Sequence, residues 1–505
     1  MASLSIGRSS MLLLKGSIER TLVIVAAVTA LGDWLFYRHT VGISLPLFVV
    51  ALASGVLLGN PVRGDRRAML AAVGVLLAAL LPLVDGLSPI ALLFGAAGVA
   101  YFAVLVATPI AASSSSSMTA SVWLLLAGPF QLFPDLVQAC KSAEHSGTAI
   151  RRANPFMVWI VPIAFGGIFL LLFASANPLI EGWFAEINLK DYFARIDITR
   201  MFFWLIMMSV TWPFIYMNGC RNEWAKLLMS PEEAPAVELP TETVPDWLFG
   251  EATILRSLAL FNLLFAVQTV LDINYLWGGV ALPHGMSYAT YAHRGAYPLI
   301  FTAILAAGFV IAAMRPGSTA ERSPSIRILV FLWTAQNVLL VASSILRLDL
   351  YVEAYSLTYL RAAAFIWMLL VALGLILIVA RIVLDRSNAW LIAMNLAVLV
   401  LTIYICGFIN FPHVIATYNV AHSRELSGKG EPLDTGYLFG LGAHAIPALD
   451  LYIAQKRPEV PRQLLIRRDE LAASHLNEIK NWRAWNFRGW RLKLYLEGKA
   501  DGVAL

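Results

Sequence analysis

Charged residues are scarce in this chain, because Asp, Glu, Lys and Arg make up only 14% of its 505 residues while 59% are hydrophobic. Soluble domains carry about 25% charged residues. The mean hydropathy of +0.71 reflects the same imbalance. The apolar residues form long runs separated by short charged loops, which is the pattern of helices that cross a lipid bilayer.

Cysteines and catalytic motifs are also few. The chain has three cysteines, which are far apart and match no metal or redox spacing: Cys140, Cys220 and Cys406. It lacks a phosphate-binding loop, a zinc-protease helix and a nucleophile elbow. His284 and His293 share one loop, but two scattered histidines are weak evidence for a metal or acid–base site. We therefore predict no catalytic residue, no metal and no cofactor.

A nucleic-acid partner is not predicted, although the formal net charge is +5 and the pI is near 9.0. The basic residues are spread through loops and the C-terminal tail and form no dense stripe. Positive cytoplasmic loops of a membrane protein explain such a balance. The first apolar run, near 21–37, lacks a small-residue cleavage site, so we predict no cleavable signal peptide.

The apolar runs predict an all-α, polytopic transmembrane helix bundle of about eleven spans, or twelve if one doubtful segment also crosses, with a C-terminal amphipathic helical tail. The eleven predicted spans lie near residues 20–37, 41–59, 68–84, 89–111, 155–176, 199–218, 253–277, 297–314, 327–346, 359–383 and 388–411.

The doubtful segment, 118–134, has only about ten residues before a Gly128-Pro129 break, so an interfacial amphipathic helix is the alternative to a span. If it does not cross, every basic loop lies on one side of the membrane, as the positive-inside rule requires. We therefore predict eleven spans, with a cytoplasmic N-terminus and a C-terminus outside the cytoplasm.

Four regions follow from this topology. They are an N-terminal four-span segment (1–112), a polar or interfacial segment (113–154), a seven-span bundle (155–411) and a C-terminal extramembrane helical region (412–505). The bundle contains an acidic, proline-rich linker at 229–247. Within the tail, 464–498 has apolar residues at helical spacing and several tryptophans. It predicts either helices on the membrane surface or a small domain packed on its own tryptophans.

Polar residues gather at the predicted outer ends of the later helices, where ionisable groups are costly unless they pair or bind a ligand. Arg347 or Arg361 is expected to pair with one of the nearby acids. The alternatives are structural ion pairing at helix ends and a binding site for a polar ligand or lipid headgroup. The predicted ligand-binding residues are Asp272, His293, Arg294, Arg347, Asp349, Glu353, Arg361 and His413.

Five ordered segments carry a family resemblance: FASANPLIEGWF at 173–184, YAHRGAYPLI at 291–300, RLDLYVEAYSLTYLRAAAFIWM at 347–368, ATYNVAH at 416–422 and LDTGYLFGLGAHAIPAL at 433–449. They resemble a bacterial family of multi-pass membrane proteins known only as domain of unknown function 4173, which is related to number 4153. Ser356 and His444 differ from the expected pattern. The resemblance, over roughly 155–455, implies a many-helix inner-membrane protein and assigns no catalytic residue.

Three functions remain open at this point. The first is a non-enzymatic sensor or scaffold of the cell envelope, which contacts membrane lipids and a protein partner in the envelope or the cytoplasm. The second is a secondary transporter of a small polar solute, although no inverted repeat is evident. The third is a membrane-embedded transferase acting on a lipid-linked substrate. The sequence favours the first function and leans against an enzyme.

Overall fold

The computed structural model describes residues 3–62, 66–107, 114–137, 197–217, 251–274, 323–456 and 458–500, with single positions at 162, 166 and 308. These residues are helical or lie in turns and contain no strand, which confirms the predicted all-α class. The main helices, numbered here in chain order, are α1 Ser3–Phe36, α2 Ser44–Gly59, α3 Arg66–Asp85, α4 Pro89–Ala107, α5 Ser114–Leu126, α6 Ile198–Ile215, α7 Glu251–Asp272, α8 Pro324–Tyr355, α9 Tyr359–Val383, α10 Asn388–Gly407, α11 Phe411–Ala421, α12 Arg424–Ser427, α13 Thr435–Gly440, α14 Ile446–Lys456, α15 Arg462–Ile479 and α16 Phe487–Ala500.

Seven of these helices are long and apolar enough to cross a membrane: α3, α4, α6, α7, α8, α9 and α10. The number rises to eight if α5 and the segment after it, which are bent by 49°, form one broken span. Helix α2 is apolar but has only 16 residues. The predicted spans near 155–176 and 297–314 lie outside the described residues, so the predicted total of eleven is not reached among those described.

The chain divides into two compact units. Unit 1 comprises residues 1–235 and 478–490, and unit 2 comprises residues 236–477 and 491–505. The first boundary falls inside the acidic linker that the sequence predicts. This grouping differs from the four predicted regions, because the doubtful segment belongs to unit 1 and a short piece of the tail joins it.

The core of unit 1 is built from small and branched apolar side chains on α1 to α6. Ala91, Ala100 and Ala103 are fully buried on α4, beside larger residues such as Leu83 at the end of α3. Small side chains let helix backbones approach closely, which is a common way to pack helices in a membrane. This packing makes α3 and α4 a tight antiparallel pair.

Charged and polar groups join the end of α1 to the start of α6. The guanidinium of Arg200 donates to the carboxylate of Asp33, with Nε 2.9 Å from Oδ1. The hydroxyl of Tyr37 donates to Asp197 at 2.5 Å, and this bond, with the backbone N–H of Arg200, holds the pKa of Asp197 below its usual value. Helices α1 and α6 therefore run antiparallel.

The tail segment 481–488 covers this same end of unit 1, which we call the tail-covered end. The backbone N–H of Ile43, just before α2, donates to the carbonyl of Trp485 at 2.6 Å. A Cβ at Gly42 would lie 2.6 Å from that carbonyl oxygen, so glycine is needed for the approach. Arg488 Nε donates to Asp85 at the end of α3 at 2.7 Å.

Helices α2 and α6 both end at the opposite end of unit 1, where Asn60 joins them. Its amide nitrogen donates to the carbonyl of Phe214 at 2.9 Å, and its oxygen accepts from the N–H of Met217 at 3.1 Å. Asn60 is buried, so both bonds are made away from water. Asn60 thus joins the ends of α2 and α6 at the end of unit 1 that lies opposite the tail-covered end.

The doubtful segment bends where the sequence predicts it. Helix α5 ends at Leu126, a 3₁₀ turn covers Gly128–Phe130, and a short helical stretch follows. A Cβ at Gly128 would lie 2.9 Å from Cβ of Pro213, and the indole of Trp212 donates to Asp135 at 2.9 Å. The segment therefore packs against the last turn of α6, near the end of unit 1 where Asn60 lies.

In unit 2, α7 and α8 run parallel and are joined by a polar contact between apolar layers. The amide of Asn262 donates to the carbonyl of Leu329 at 3.0 Å. Around it, the apolar cluster is formed by Ile254, Leu258, Ile326, Val330 and Trp333. Helices α8, α9 and α10 follow one another as antiparallel neighbours.

The tail helices form a packed module on the ends of α8 and α9. Fully buried Ile415, Leu438 and Leu449 pack with Leu348 and Val352 of α8. Helices α14, α15 and α16 share a second small core made by Ile446, Ala472, Leu492 and Leu496. The core is aliphatic, which corrects the alternative of a domain packed on its own tryptophans, and no described helix after residue 410 is a candidate span.

Candidate functional site

An ion pair is buried between the parallel helices α7 and α8. The guanidinium of Arg347 donates to Asp272, and both side chains are almost fully buried. Gln268, one turn earlier on α7, donates to the same carboxylate oxygen at 2.9 Å. The pairing of Arg347 with Asp272, one of the alternatives predicted from the sequence, is therefore present. A buried pair with this support holds helix ends together.

Arg361 pairs with no acid among the residues that the structure describes, in contrast to the other predicted alternative. Its guanidinium donates to the carbonyls of Tyr355 and Ser356, where α8 ends. Its Cζ also lies 4.3 Å from the ring centroid of Tyr351. Because the last carbonyls of a helix lack intrahelical partners and carry partial negative charge, a cation there caps the helix.

The turn between α8 and α9 contains a strained residue. Ser356 has φ +69° and ψ 163°, a backbone conformation that is almost restricted to glycine. The following residue, Leu357, is held on both sides by Asn419 of α11. Its N–H donates to the amide oxygen of Asn419 at 2.6 Å, and its carbonyl accepts from the amide nitrogen at 2.9 Å. The tail module thus fixes this turn.

An exposed polar surface lies beside the turn, and we call it the polar face: Asp349, Glu353, Tyr418 and His422. Asp349 and Glu353 are exposed and one helical turn apart on α8. Burial raises the pKa of the Tyr418 phenol, and the charges of Asp349 and Glu353 raise it further. The ring of Tyr418 stacks on that of His422 with centroids 4.0 Å apart.

The remaining predicted site residues are placed apart or not described. His413 is exposed in the first turn of α11, where the side chain of Asn410 accepts its backbone N–H at 3.3 Å. His293 and Arg294 lie outside the described residues. A ligand-binding role for the eight predicted residues remains a prediction.

Sequence reasoning missed the residues that hold this region together. Asn419, Tyr351 and Tyr437 are not among the predicted site residues, although each lies in a segment that carries the family resemblance, at 416–422, 347–368 and 433–449 respectively. The backbone N–H of Tyr359 donates to the hydroxyl of Tyr437 at 3.3 Å. A single asparagine in an amphipathic helix gives no signal in composition or periodicity, so only its place in the segment at 416–422 pointed to Asn419.

Polar atoms are also left without partners inside the α7–α8 pair. The indole nitrogen of Trp333 and the amide oxygens of Asn262 and Asn337 are buried and have no hydrogen-bond partner among the described residues. Their burial inside apolar surroundings is costly. The amide oxygen of Gln336 on α8 is also buried and has no hydrogen-bond partner among the described residues.

A second buried carboxylate organises the tail module. Asp450 of α14 receives two hydrogen bonds from Arg468, at 2.7 and 2.8 Å, one from the hydroxyl of Tyr495 at 3.0 Å, and an ion pair from Lys499 at 2.8 Å. Burial opposes ionisation of Asp450, but Arg468 and Lys499 outweigh it and hold its pKa below the usual value. Burial and the charge of Asp450 raise the pKa of Tyr495 to about 12.

The described residues contain no group of three or more His, Cys, Asp or Glu side chains that is able to hold a metal ion. Cys406 is buried and free. The described arrangement is therefore one of ion pairs, helix caps and stacked rings.

These features define a many-helix protein with apolar, membrane-length helices and a packed helical tail. The chain belongs to the family described as "Domain of unknown function (DUF4153)", whose model matches residues 21–452. The matched family is number 4153, the relative of number 4173, and membership of number 4173 itself is not shown. The match includes the α8–α9 turn and α11 and ends within α14, before Arg468, Tyr495 and the docked segment 481–488. No curated protein and no solved structure matches the chain.

Proposed function

We propose that the chain is a non-enzymatic sensor or scaffold of the bacterial cell envelope, anchored in the inner membrane, that contacts its partner through the polar face. One observation carries the proposal, namely the two hydrogen bonds between Asn419 and the backbone of Leu357. They fasten the tail module to the turn between two membrane-length helices. A partner that displaces the module therefore acts directly on α8 and α9.

The polar face is suited to this role because the part of α8 that carries its two acids is held in place by packing and by a helix cap. Leu348 and Val352, which directly precede the two exposed acids on α8, pack into the core of the tail module. Arg361 caps α8 just beyond Glu353. The exposed carboxylates therefore keep a defined spacing, and recognition by a partner costs little ordering entropy.

The proposed orientation has the N-terminus in the cytoplasm and the tail outside it, with eleven spans. In its support, α4 starts beside the tail-covered end, and α6 starts at that end too. The segment between α5 and residue 137 packs against the C-terminal end of α6 through Gly128 and Asp135. A reporter fused after Leu505 is expected to report a location outside the cytoplasm, and a cytoplasmic signal would contradict the orientation.

Photo-crosslinking in intact membranes tests the partner proposal. A photoreactive phenylalanine analogue at exposed Glu353 is expected to give a discrete adduct. The same analogue at exposed Gln455 of α14 in the same unit serves as the matched control. An adduct at Glu353 that is lost on adding Asp349→Ala supports the proposal. Equal adducts at both positions, or none at Glu353, contradict it.

A transporter is the second candidate, and the unpartnered polar atoms between α7 and α8 favour it. Intramembrane polar groups commonly line the path of a polar solute, and Asn262, Trp333 and Asn337 are buried there. Proteoliposomes tested with a panel of small polar solutes would show uptake that Asn337→Leu abolishes. If no solute enters and Asn337→Leu raises stability, these groups have no transport role.

A further inference from the structure

Large aromatic side chains are exposed at the tail-covered end of unit 1. Trp34, near the end of α1, is 54% exposed, and Trp482 of the tail is 44% exposed. Their ring centroids are 5.6 Å apart. Phe487 and Trp490, a few residues later in the chain, are also exposed. Tryptophan is enriched where a membrane meets water, since its ring is apolar and its N–H is polar.

A single arginine lies against both indole rings. The Cζ of Arg483 is 4.5 Å from the ring centroid of Trp34 and 5.1 Å from that of Trp482. Its Nε donates to the carbonyl of Trp34 at 3.0 Å. The two terminal nitrogens of Arg483 have no protein partner among the described residues. They are therefore donors held in a fixed direction beside two exposed rings.

The surrounding tail is positively charged. Residues 481–490, which belong to unit 1, contain two basic side chains, Arg483 and Arg488, and no acidic side chain. Of the basic residues, Arg488 is bound to Asp85. This charge favours an anionic surface, and an arginine fork matches phosphate oxygens better than a point charge does.

The depth of the site follows from α6, which is long and apolar enough to cross a bilayer, because such a helix starts at the headgroup layer. The first turn of α6 is bonded through Arg200 to Asp33 of α1, and Trp34 is the next residue of α1. Because Trp482 and Arg483 contact Trp34, they lie at the same depth. The N–H of Ile43 and the missing Cβ of Gly42 hold the segment there.

We propose that Trp34, Trp482 and Arg483 form a binding site for the headgroup phosphate of an anionic phospholipid. The terminal nitrogens of Arg483 donate to the phosphate oxygens, and the two indoles pack on the glycerol and upper acyl carbons. The site fastens the docked tail segment to the membrane surface. Trp482 and Arg483 lie beyond the matched family region 21–452, whereas Trp34 lies within it. The site shares no residue with the polar face.

The test uses the full-length protein in detergent, with retained lipids counted by native mass spectrometry. Phosphatidylglycerol and phosphatidylcholine are added at equal concentrations as probes. Wild-type protein is expected to retain phosphatidylglycerol in preference. Arg483→Gln is expected to lower its affinity about tenfold, because one charge-assisted contact to phosphate is lost. Arg462→Gln, which removes an exposed charge from α15, is the matched control and is expected to leave the affinity unchanged.

Two more variants separate lipid binding from simple charge or folding. Arg483→Lys retains the charge and is expected to recover part of the affinity. Gly42→Val changes no charge but displaces Trp485, so it is expected to weaken phosphatidylglycerol binding as well. Thermal unfolding of Arg483→Gln is expected to match the Arg462→Gln control within a few degrees.

Three outcomes would overturn the proposal. The first is equal retention of the two lipids by wild-type protein. The second is an affinity loss in Arg462→Gln as large as that in Arg483→Gln. The third is a dimer, detected by light scattering, that Arg483→Gln dissociates while the lipid preference is unchanged, because the surface would then bind a second copy of the chain.

Discussion

The amide side chain of Asn419 hydrogen-bonds both backbone groups of Leu357, accepting from the N–H at 2.6 Å and donating to the carbonyl at 2.9 Å. Both residues are buried. One side chain therefore satisfies the two polar groups of a peptide segment that has left α8 and has not yet entered α9. Backbone groups buried in a turn need such partners, because no helix supplies them.

Asn419→Ala is expected to lower the free energy of unfolding by about 2–4 kcal/mol, because it leaves two buried backbone groups unpaired. Asn419→Asp retains the acceptor and loses the donor, so an intermediate effect is expected. Thermal unfolding of purified protein in detergent measures both. Asn395→Ala is the control, since among the described residues the Asn395 side chain bonds only the carbonyl of Leu391, within its own helix. Equal midpoints for Asn419→Ala and Asn395→Ala would contradict the role of Asn419.

Arg361 and Asp349, both predicted from the sequence, are expected to behave differently. Arg361→Ala removes the cap from α8 and the contact with Tyr351, so we expect it to destabilise the protein by about 1–3 kcal/mol. Asp349→Ala changes an exposed side chain and should alter stability by less than about 0.5 kcal/mol. Chemical denaturation followed by circular dichroism compares the two. A larger loss for Asp349→Ala would reverse the assignment.

Hydropathy predicted the apolar helices well and their extensions poorly. Helix α9, Tyr359–Val383, has the predicted bounds, whereas α8 was expected at 327–346 and continues to Tyr355. The extra turns carry charged residues, so a hydropathy window ends there although the helix does not. Helix α10 stops at Gly407, before the predicted end at 411, because Asn410 caps the next helix instead.

The partners in the site were harder to predict than the helices. Asp272 and Arg347 are 75 positions apart, and nothing local in the sequence joins them. Because both residues were predicted to lie on the same side of the membrane, their pairing was one of several alternatives. The packing of α7 against α8 brings Asp272, rather than another acid, to Arg347. The exposed tryptophans of the tail were predicted to lie either in a core or on a membrane surface, and aliphatic residues fill the core instead.

Ser356→Gly is expected to stabilise the protein by about 1–2 kcal/mol. Ser356 has φ +69° and ψ 163°, which glycine adopts without strain. The control is Ser474→Gly on the exposed face of α15, where glycine costs about 0.5–1 kcal/mol because it loosens a helix. Opposite shifts of the two unfolding midpoints would support the strain at Ser356. A loss of stability in both variants would show that the serine conformation is tolerated without strain.

The Asp450 cluster predicts how stability depends on pH. Because Arg468 and Lys499 hold the folded-state pKa of Asp450 below its usual value, its contribution is present above about pH 4 and is lost as the pH falls further. Asp450→Asn should reduce this loss of stability at acid pH and should lower the free energy of unfolding by about 3–5 kcal/mol at neutral pH. Asp469→Asn is the control, since that carboxylate is exposed although it also contacts Arg468. If Asp450→Asn loses stability at acid pH as steeply as wild type does, ionisation of Asp450 is not the cause of that loss.

The same cluster predicts how the stability of the protein changes at alkaline pH. The pKa of Tyr495 is raised to about 12, so the folded state retains its proton where the unfolded chain has lost it. Stability is therefore expected to fall as the pH rises from about 10 to about 12. Tyr495→Phe removes the ionisable group and should remove that loss. Unfolding midpoints of the two proteins across this pH range test it.

The buried pair of Asp272 and Arg347 predicts strong energetic coupling. Asp272→Asn or Arg347→Gln alone leaves one buried charge without its partner, which costs about 3–5 kcal/mol. The double variant leaves no unpaired charge, so it should cost less than the sum by more than about 1 kcal/mol. The exposed pair of Lys493 and Glu497, one turn apart on α16, is the control and should couple by less than about 0.5 kcal/mol.

Ligand binding separates the two interpretations of this pair. If Asp272 and Arg347 serve only to join α7 to α8, the double variant should retain crosslinking at Glu353 once its stability is matched to wild type by temperature. Loss of that crosslink in a folded double variant would instead show that the pair takes part in recognition. Additive single effects would contradict direct coupling, because two groups that share a buried contact cannot be replaced independently.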